Sequence, residues 1–248
     1  VQAGQALGAD AGQIGSMVTA LCLGIGAPGA LLSWRLKIPI VLAWSTPGAA
    51  LLAASTLGLS WPTAIGAFVF AALLMILTGL IPALGGLAAR VPAAIASAML
   101  AGVLLPFVLR LFKVVPEETA LVIGLIAVFL IFRRLWPTWA LPGVLAAAFA
   151  VLAMRGQLAL PAGTGLFGHL EPVAPVFDWK AAVSLGFPLF LVTLAAQNLP
   201  GLVVLQSAGY PPPANRLILS TGVASLLIAP FGGHGVNLAA ITAAICTG

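Results

Sequence analysis

The sequence predicts an all-α, polytopic membrane protein folded as an inverted repeat with two interrupted spans. Three observations carry this prediction. Hydrophobic residues make up 62% of the 248 and charged residues 6%, against about 25% charged in a soluble domain. Apolar stretches of about 20 residues, enough to cross a bilayer, alternate with charges and turn signals. Two stretches, one early and one late, break that pattern with proline, glycine and hydroxyl residues.

The late stretch, Ala229-Pro230-Phe231-Gly232-Gly233-His234-Gly235-Val236-Asn237, is not a continuous helix. Proline removes a donor and clashes with the preceding turn, and glycine weakens a helix further. Residues 231–236 are expected to be extended, with a half-helix restarting near Asn237. The early stretch has the same build. Residues 39–44 form a β-branched run after proline, and Ser45-Thr46-Pro47 reads as an N-cap with proline in the first turn. The two extended pieces should lie side by side, because unpaired backbone is not tolerated in lipid. Interrupted spans in matching places of two halves point to a transporter's central site.

The remaining spans follow between the charges. Residues 1–12 read as a helix end with a small-residue face at Gly4, Gly8 and Gly12. Residues 14–32 form a span softly broken at Pro28-Gly29, and the interrupted span covers 39–57. Further spans are 62–87, 93–111, 118–132, 139–154, 181–205 and 217–229, the last opened by a cap at Asn215. Residues 1–154 thus make most of one repeat, 155–180 an extracytoplasmic linker, and 181–248 the start of a second repeat. The chain opens on Val1 rather than Met and reads as a piece of a longer protein.

Loop charges set the orientation. One side holds Arg35, Lys37, Arg90, Arg133, Arg134 and Arg216 without an acid, and is therefore cytoplasmic. Asp10, Arg110, Lys113, Glu117, Glu118, Arg155, Glu171, Asp178 and Lys180 share the other side, where signs nearly cancel. The interrupted spans then run antiparallel. The net charge of +5 is scattered between spans, so no nucleic-acid surface is implied. The partner is the lipid bilayer. Cys22 and Cys246 read as buried free thiols, since both fall in apolar spans.

At residues 43–52 (Ala-Trp-Ser-Thr-Pro-Gly-Ala-Ala-Leu-Leu), 188–198 (Pro-Leu-Phe-Leu-Val-Thr-Leu-Ala-Ala-Gln-Asn) and 235–246 (Gly-Val-Asn-Leu-Ala-Ala-Ile-Thr-Ala-Ala-Ile-Cys), the chain resembles the bacterial benzoate/proton symporters of the BenE type. The resemblance runs over the whole chain. That family is similar in architecture to uracil/xanthine and sulfate transporters, which implies fourteen spans in two inverted seven-span repeats, divided into core and gate. On that template the chain lacks most of span one and everything after span ten. The resemblance implies an inner-membrane location and a substrate held between two half-helix N-termini and the eighth span. Acidic residues of the uracil relatives are replaced here by Gln197 and His234.

The candidate substrate-binding residues are Ser45, Thr46, Gly48, Gln197, Asn198, Gly233, His234 and Asn237. Ser45 and Thr46 cap a helix and sit where an anion would bind, and Gln197-Asn198 can equally be interhelical hydrogen bonding. Trp44, Phe190 and Phe231 are candidates for an aromatic wall. His234 is the ionisable residue placed deep in a span, which makes it the candidate for proton coupling; His169 reads as a solvated loop residue. The leading function is import of benzoate or a related aromatic carboxylate with protons. An anion channel or exchanger, or a nucleobase transporter on the same fold, is the alternative. No H-E-x-x-H, G-x-S-x-G or embedded acid pair suggests an enzyme, a metal or a cofactor. A homodimer is among the assemblies this reading admits.

Overall fold

In the computed structural model, the structure describes residues 1–55, 58–81, 105, 109, 112, 115–116, 118–157 and 168–239. The predicted span 93–111 and the half-helix after Asn237 lie largely or wholly outside them, as do Arg90, Arg110, Lys113, Glu117 and Cys246. Among the described residues five helical stretches are long and apolar enough to cross a membrane: Ala11–Leu36, Trp61–Leu80, Pro137–Met154, Trp179–Ser207 and Ala214–Phe231. Leu23, Leu77, Val203 and Leu227 stand exposed on such helices. Large apolar side chains so placed suit lipid rather than water, so this is a polytopic membrane protein.

The chain divides into two compact units, Leu105–Leu166 and the rest. In the larger unit, α1 (Gln2–Ala6) is short. Gly8 turns the chain at φ +77°, and Asp10 caps α2 (Ala11–Leu36) in a reciprocal box with Gln13. The single helix with a Gly4-Gly8-Gly12 face is therefore not formed: Gly8 is the turn, and Gly12 belongs to α2. Pro28 does not break α2 either, which runs on to a left-handed Lys37. Then come β1 (Leu42–Trp44), α3 (Thr46–Ala53) and α4 (Trp61–Leu80). α4 ends at Leu80, because Ile81 precedes a proline and takes an extended conformation; residues 82–87, which the sequence assigned to the same span, lie outside the described residues.

The span Trp179–Ser207, here α7, is a helix with two π segments, Ala182–Gly186 and Leu194–Asn198. Each ends two residues before a proline, Pro188 or Pro200, where a missing N–H frees a carbonyl one turn back. α8 (Ala214–Ile228) starts one residue before Asn215, and Pro213 rather than Asn215 holds the cap position. Within the smaller unit, α5 (Thr119–Leu135) and α6 (Ala140–Met154) form a hairpin. Glu118 at the head of α5 pairs with Arg155 just past α6 at 2.7 Å, closing the open end of the hairpin.

Close helix packing uses glycine where nothing larger fits. A Cβ on Gly79 of α4 would sit 2.5 Å from the Leu219 backbone of α8, and one on Gly222 would sit 2.8 Å from the Ile76 nitrogen. The backbones of α4 and α8 therefore touch, as small-residue interfaces in membranes allow. Across one end of this unit runs an irregular strap, residues 168–178. Val173 N–H donates to the Pro230 carbonyl at 2.8 Å and Val176 N–H to the Pro62 carbonyl at 3.0 Å. His169, expected to be a solvated loop residue, is exposed and also bonds the Gly12 carbonyl at 2.9 Å. Cys22 is a free thiol but exposed, not buried, on the face of α2.

Candidate functional site

The two interruptions meet as an antiparallel pair, β1 with β2 (Val236–Leu238), in the register Leu42↔Leu238, Ala43↔Asn237 and Trp44↔Val236. The pairing follows the sequence expectation, but its second partner is shifted. Ala229–Phe231 is a 3-10 turn and Gly232 is left-handed at φ +88°, so the strand begins at Val236 rather than Phe231. Asn237 lies inside the strand and does not open a helix. The turn needs Gly232, since a side chain there would meet Trp61 at 2.7 Å as well as adopting a strained φ.

A two-stranded ribbon in a membrane must satisfy its outward-facing backbone groups, and three side chains take up N–H groups at Ile40, Val236 and Leu238. Ser33 of α2 accepts the Ile40 N–H at 3.1 Å and donates to its carbonyl at 2.9 Å. Ala239 N–H faces β1 and donates to the Val41 carbonyl, so the Val236 and Leu238 N–H groups point the other way. Val236 N–H donates to the Ser225 hydroxyl of α8 at 2.8 Å, and Leu238 N–H to the Asn198 Oδ1 of α7 at 3.0 Å. Ser16 of α2 ties the same region to the strap, donating to the Phe231 and Glu171 carbonyls and accepting the Glu171 N–H. Ser16 escaped the sequence analysis because its partners lie 155 and 215 positions away, and Ser33 and Ser225 because their bonds cross from a helix to the extended segment that follows it.

The ribbon delivers β1 into α3. Ser45 caps it as predicted, its hydroxyl accepting the Gly48 N–H at 2.9 Å. Pro47 has no N–H, and the Ala49 N–H is taken by the Ser45 carbonyl. Among the described residues, Thr46 therefore keeps the first-turn N–H that is not already engaged. Gly48 is glycine for a packing reason, because a Cβ would meet Leu189 of α7 at 2.7 Å. Its backbone donor is committed to the cap, not free for a ligand.

His234 sits just before β2, 6% exposed, with its ring against the Ser45 backbone but no hydrogen bond of good geometry at Nδ1 or Nε2. The aromatic ring packed on it is Phe68 of α4, edge-to-face at 6.4 Å, with Trp61 behind at 6.0 Å. Sequence reasoning missed both, since they read as ordinary span residues. Of the predicted wall, Trp44 is half exposed, Phe190 packs on Phe187 at 6.3 Å, and Phe231 is half-buried beside the core. Gly233 donates to the Ile228 carbonyl at 3.0 Å.

Asn237 is 1% exposed. Its Oδ1 accepts from Asn198 Nδ2 at 3.0 Å, and its own Nδ2 has no partner among the described residues. Asn198 is fully engaged, since Nδ2 also lies 3.7 Å from the Met75 sulfur. Gln197, its half-buried neighbour, makes no side-chain hydrogen bond among the described residues. Buried polar atoms are satisfied as a rule. The imidazole nitrogens and the Asn237 amide are exceptions, grouped where a strand pair leads into a helix N-terminus.

The whole chain, residues 1–248, matches the model of the family described as benzoate membrane transport protein. It is 36% identical over 247 residues to the "Inner membrane protein YdcO" of Escherichia coli (strain K12), covering 99% of this chain and 63% of that protein. It is 34% identical over 233 residues to the "Benzoate membrane transport protein" of Acinetobacter baylyi, covering 94% of this chain and 59% of that one. The chain thus spans about three-fifths of the curated relatives it matches. It belongs to the benzoate membrane transport protein family.

Proposed function

We propose that the protein to which this chain belongs is a secondary active transporter of the bacterial inner membrane that imports benzoate or a related aromatic carboxylate together with protons. The observation that carries the reading is the set of unpartnered nitrogens on His234 and Asn237, buried beside the N-terminus of α3. An Asn amide donates through Nδ2, and a neutral imidazole offers one donor and one acceptor. The Asn237 amide needs an acceptor brought in from outside, and a carboxylate is one. A helix N-terminus adds about half a positive charge from backbone alone, so an anion can be held without arginine.

The site residues proposed to surround substrate are His234, Asn237, Ser45, Thr46 and Gln197, with Phe68 as the ring already in place. A carboxylate beside the imidazole and a proton on it stabilise each other by simple attraction. That mutual gain is the proposed basis of symport, with His234 as the proton carrier. The antiparallel pairing of β1 with β2 supports two inverted seven-span repeats, residues 1–154 in the first, 155–180 as extracytoplasmic linker and 181–248 in the second. The names of the two relatives support the membrane and the substrate class.

Proteoliposomes carrying the full-length protein and a trapped pH dye test this. Benzoate added outside should be taken up with accompanying protons, and an imposed inward proton gradient should drive accumulation. Uptake that neither carries protons nor responds to the gradient would leave a channel or exchanger instead.

A further inference from the structure

Asn198 was a candidate ligand in the sequence, yet every polar atom it has is engaged inside the protein. We propose that Asn198 is a positioning residue, which fixes the Asn237 amide so that its nitrogen, not its oxygen, faces the substrate. The inference rests on the proposed substrate site and deepens it.

The orientation follows from one backbone group. The Leu238 N–H can only donate, so the Asn198 atom it meets at 3.0 Å is the oxygen. The other branch of that amide, Nδ2, then faces Asn237 and must find an acceptor, which makes the Asn237 atom at 3.0 Å its oxygen. What remains of Asn237 is Nδ2, buried and without a partner. A backbone donor on β2 thus dictates, through two side chains, a donor at the site. Two constraints hold the relay in place. Asn198 is fully buried at the end of a π segment. Immediately after Pro200, Gly201 lets α7 approach β2 so closely that a Cβ would lie 2.5 Å from that of Leu238.

Asn198→Asp breaks one link and keeps the other. At a pH where it is ionised, the new carboxylate still accepts the Leu238 N–H but cannot donate, so Asn237 should turn over, give it Nδ2 and present Oδ1 to substrate. Full-length protein labelled with 15N-asparagine, with Asn237→Ala to identify its signals, reads this without ligand. Asn198→Asp should move the Asn237 amide protons downfield, and signals that stay in place overturn the proposal.

Benzamide and acetophenone then test the consequence for binding. Both are neutral, so the added charge weighs on them alike, but acetophenone only accepts hydrogen bonds while benzamide also donates. The ratio of benzamide to acetophenone affinity should rise about tenfold in Asn198→Asp, the worth of one hydrogen bond of about 1.4 kcal/mol. An unchanged ratio overturns a positioning role and leaves a structural one. Should the variant not fold, the unmodified protein decides: benzoate should shift the Asn237 amide signals and leave those of Asn198 in place, and the reverse overturns the proposal. If benzoate binds and moves neither, the substrate site itself is misplaced, and the ligand-free shift in Asn198→Asp alone judges the orientation.

Discussion

The Val236 backbone N–H donates to the Ser225 hydroxyl at 2.8 Å, tying the outer edge of β2 to α8. Ser225 also donates to the Thr221 carbonyl one turn earlier. Replacing it with alanine leaves a buried backbone donor unsatisfied, at a cost of about 1–3 kcal/mol. Ser225→Ala should therefore lower the melting temperature of the protein in nanodiscs. An unchanged melting curve would show that another group or a water takes the Val236 N–H.

Benzoate affinity should fall as pH rises through the titration of His234. The sign follows from the coupling: a protonated imidazole attracts the carboxylate, and deprotonation removes that attraction. His234→Gln keeps a donor but no titration, so some binding should remain with a flattened pH profile. Calorimetry across pH decides, and a variant that keeps the parent profile would make His234 structural and put the proton elsewhere.

The α4–α8 contact predicts a sharp size limit. Gly79→Leu or Gly222→Leu pushes a side chain into the facing helix backbone, where no flexible atom can yield. Loss of folded protein on size-exclusion chromatography is expected for both, while Gly124→Leu, with open space at its Cβ, should be tolerated. Equal behaviour of the three would refute backbone contact as the reason for glycine.

The Glu118–Arg155 pair, by contrast, is more than a third exposed on both sides and should contribute at most about 1 kcal/mol. Glu118→Gln should shift the melting temperature little, and a drop of more than about 8 °C would mean the pair is shielded from solvent.

Topology is testable by labelling single cysteines after Cys22 and Cys246 are replaced by serine. A cysteine at Gln157 or Gly163 should react with an impermeant reagent from outside, and one at Tyr210 only from the cytoplasm. The opposite pattern would invert the orientation read from the loop charges. Gly163 lies outside the described residues; Gln157 and Tyr210 are exposed.

The sequence by itself determined the class, the interruptions and the cap. Composition alone put the chain in a membrane, and Ser45-Thr46-Pro47 specified a helix start because capping and proline placement are local chemistry. Proline and glycine likewise announced the break at 230–235. What only the tertiary structure decided was which residue met which. The strand at Val236–Leu238 took Asn237 away from a helix start, because a left-handed Gly232 delayed the extended segment. Phe68, not the predicted aromatics, came to His234 from a helix 166 positions earlier in the chain. Asn198 and Asn237 looked alike as candidate ligands. The Leu238 N–H separated them, engaging the first completely and leaving the second one nitrogen short. Such roles depend on pairings between residues distant in sequence, and local propensity carries no record of them.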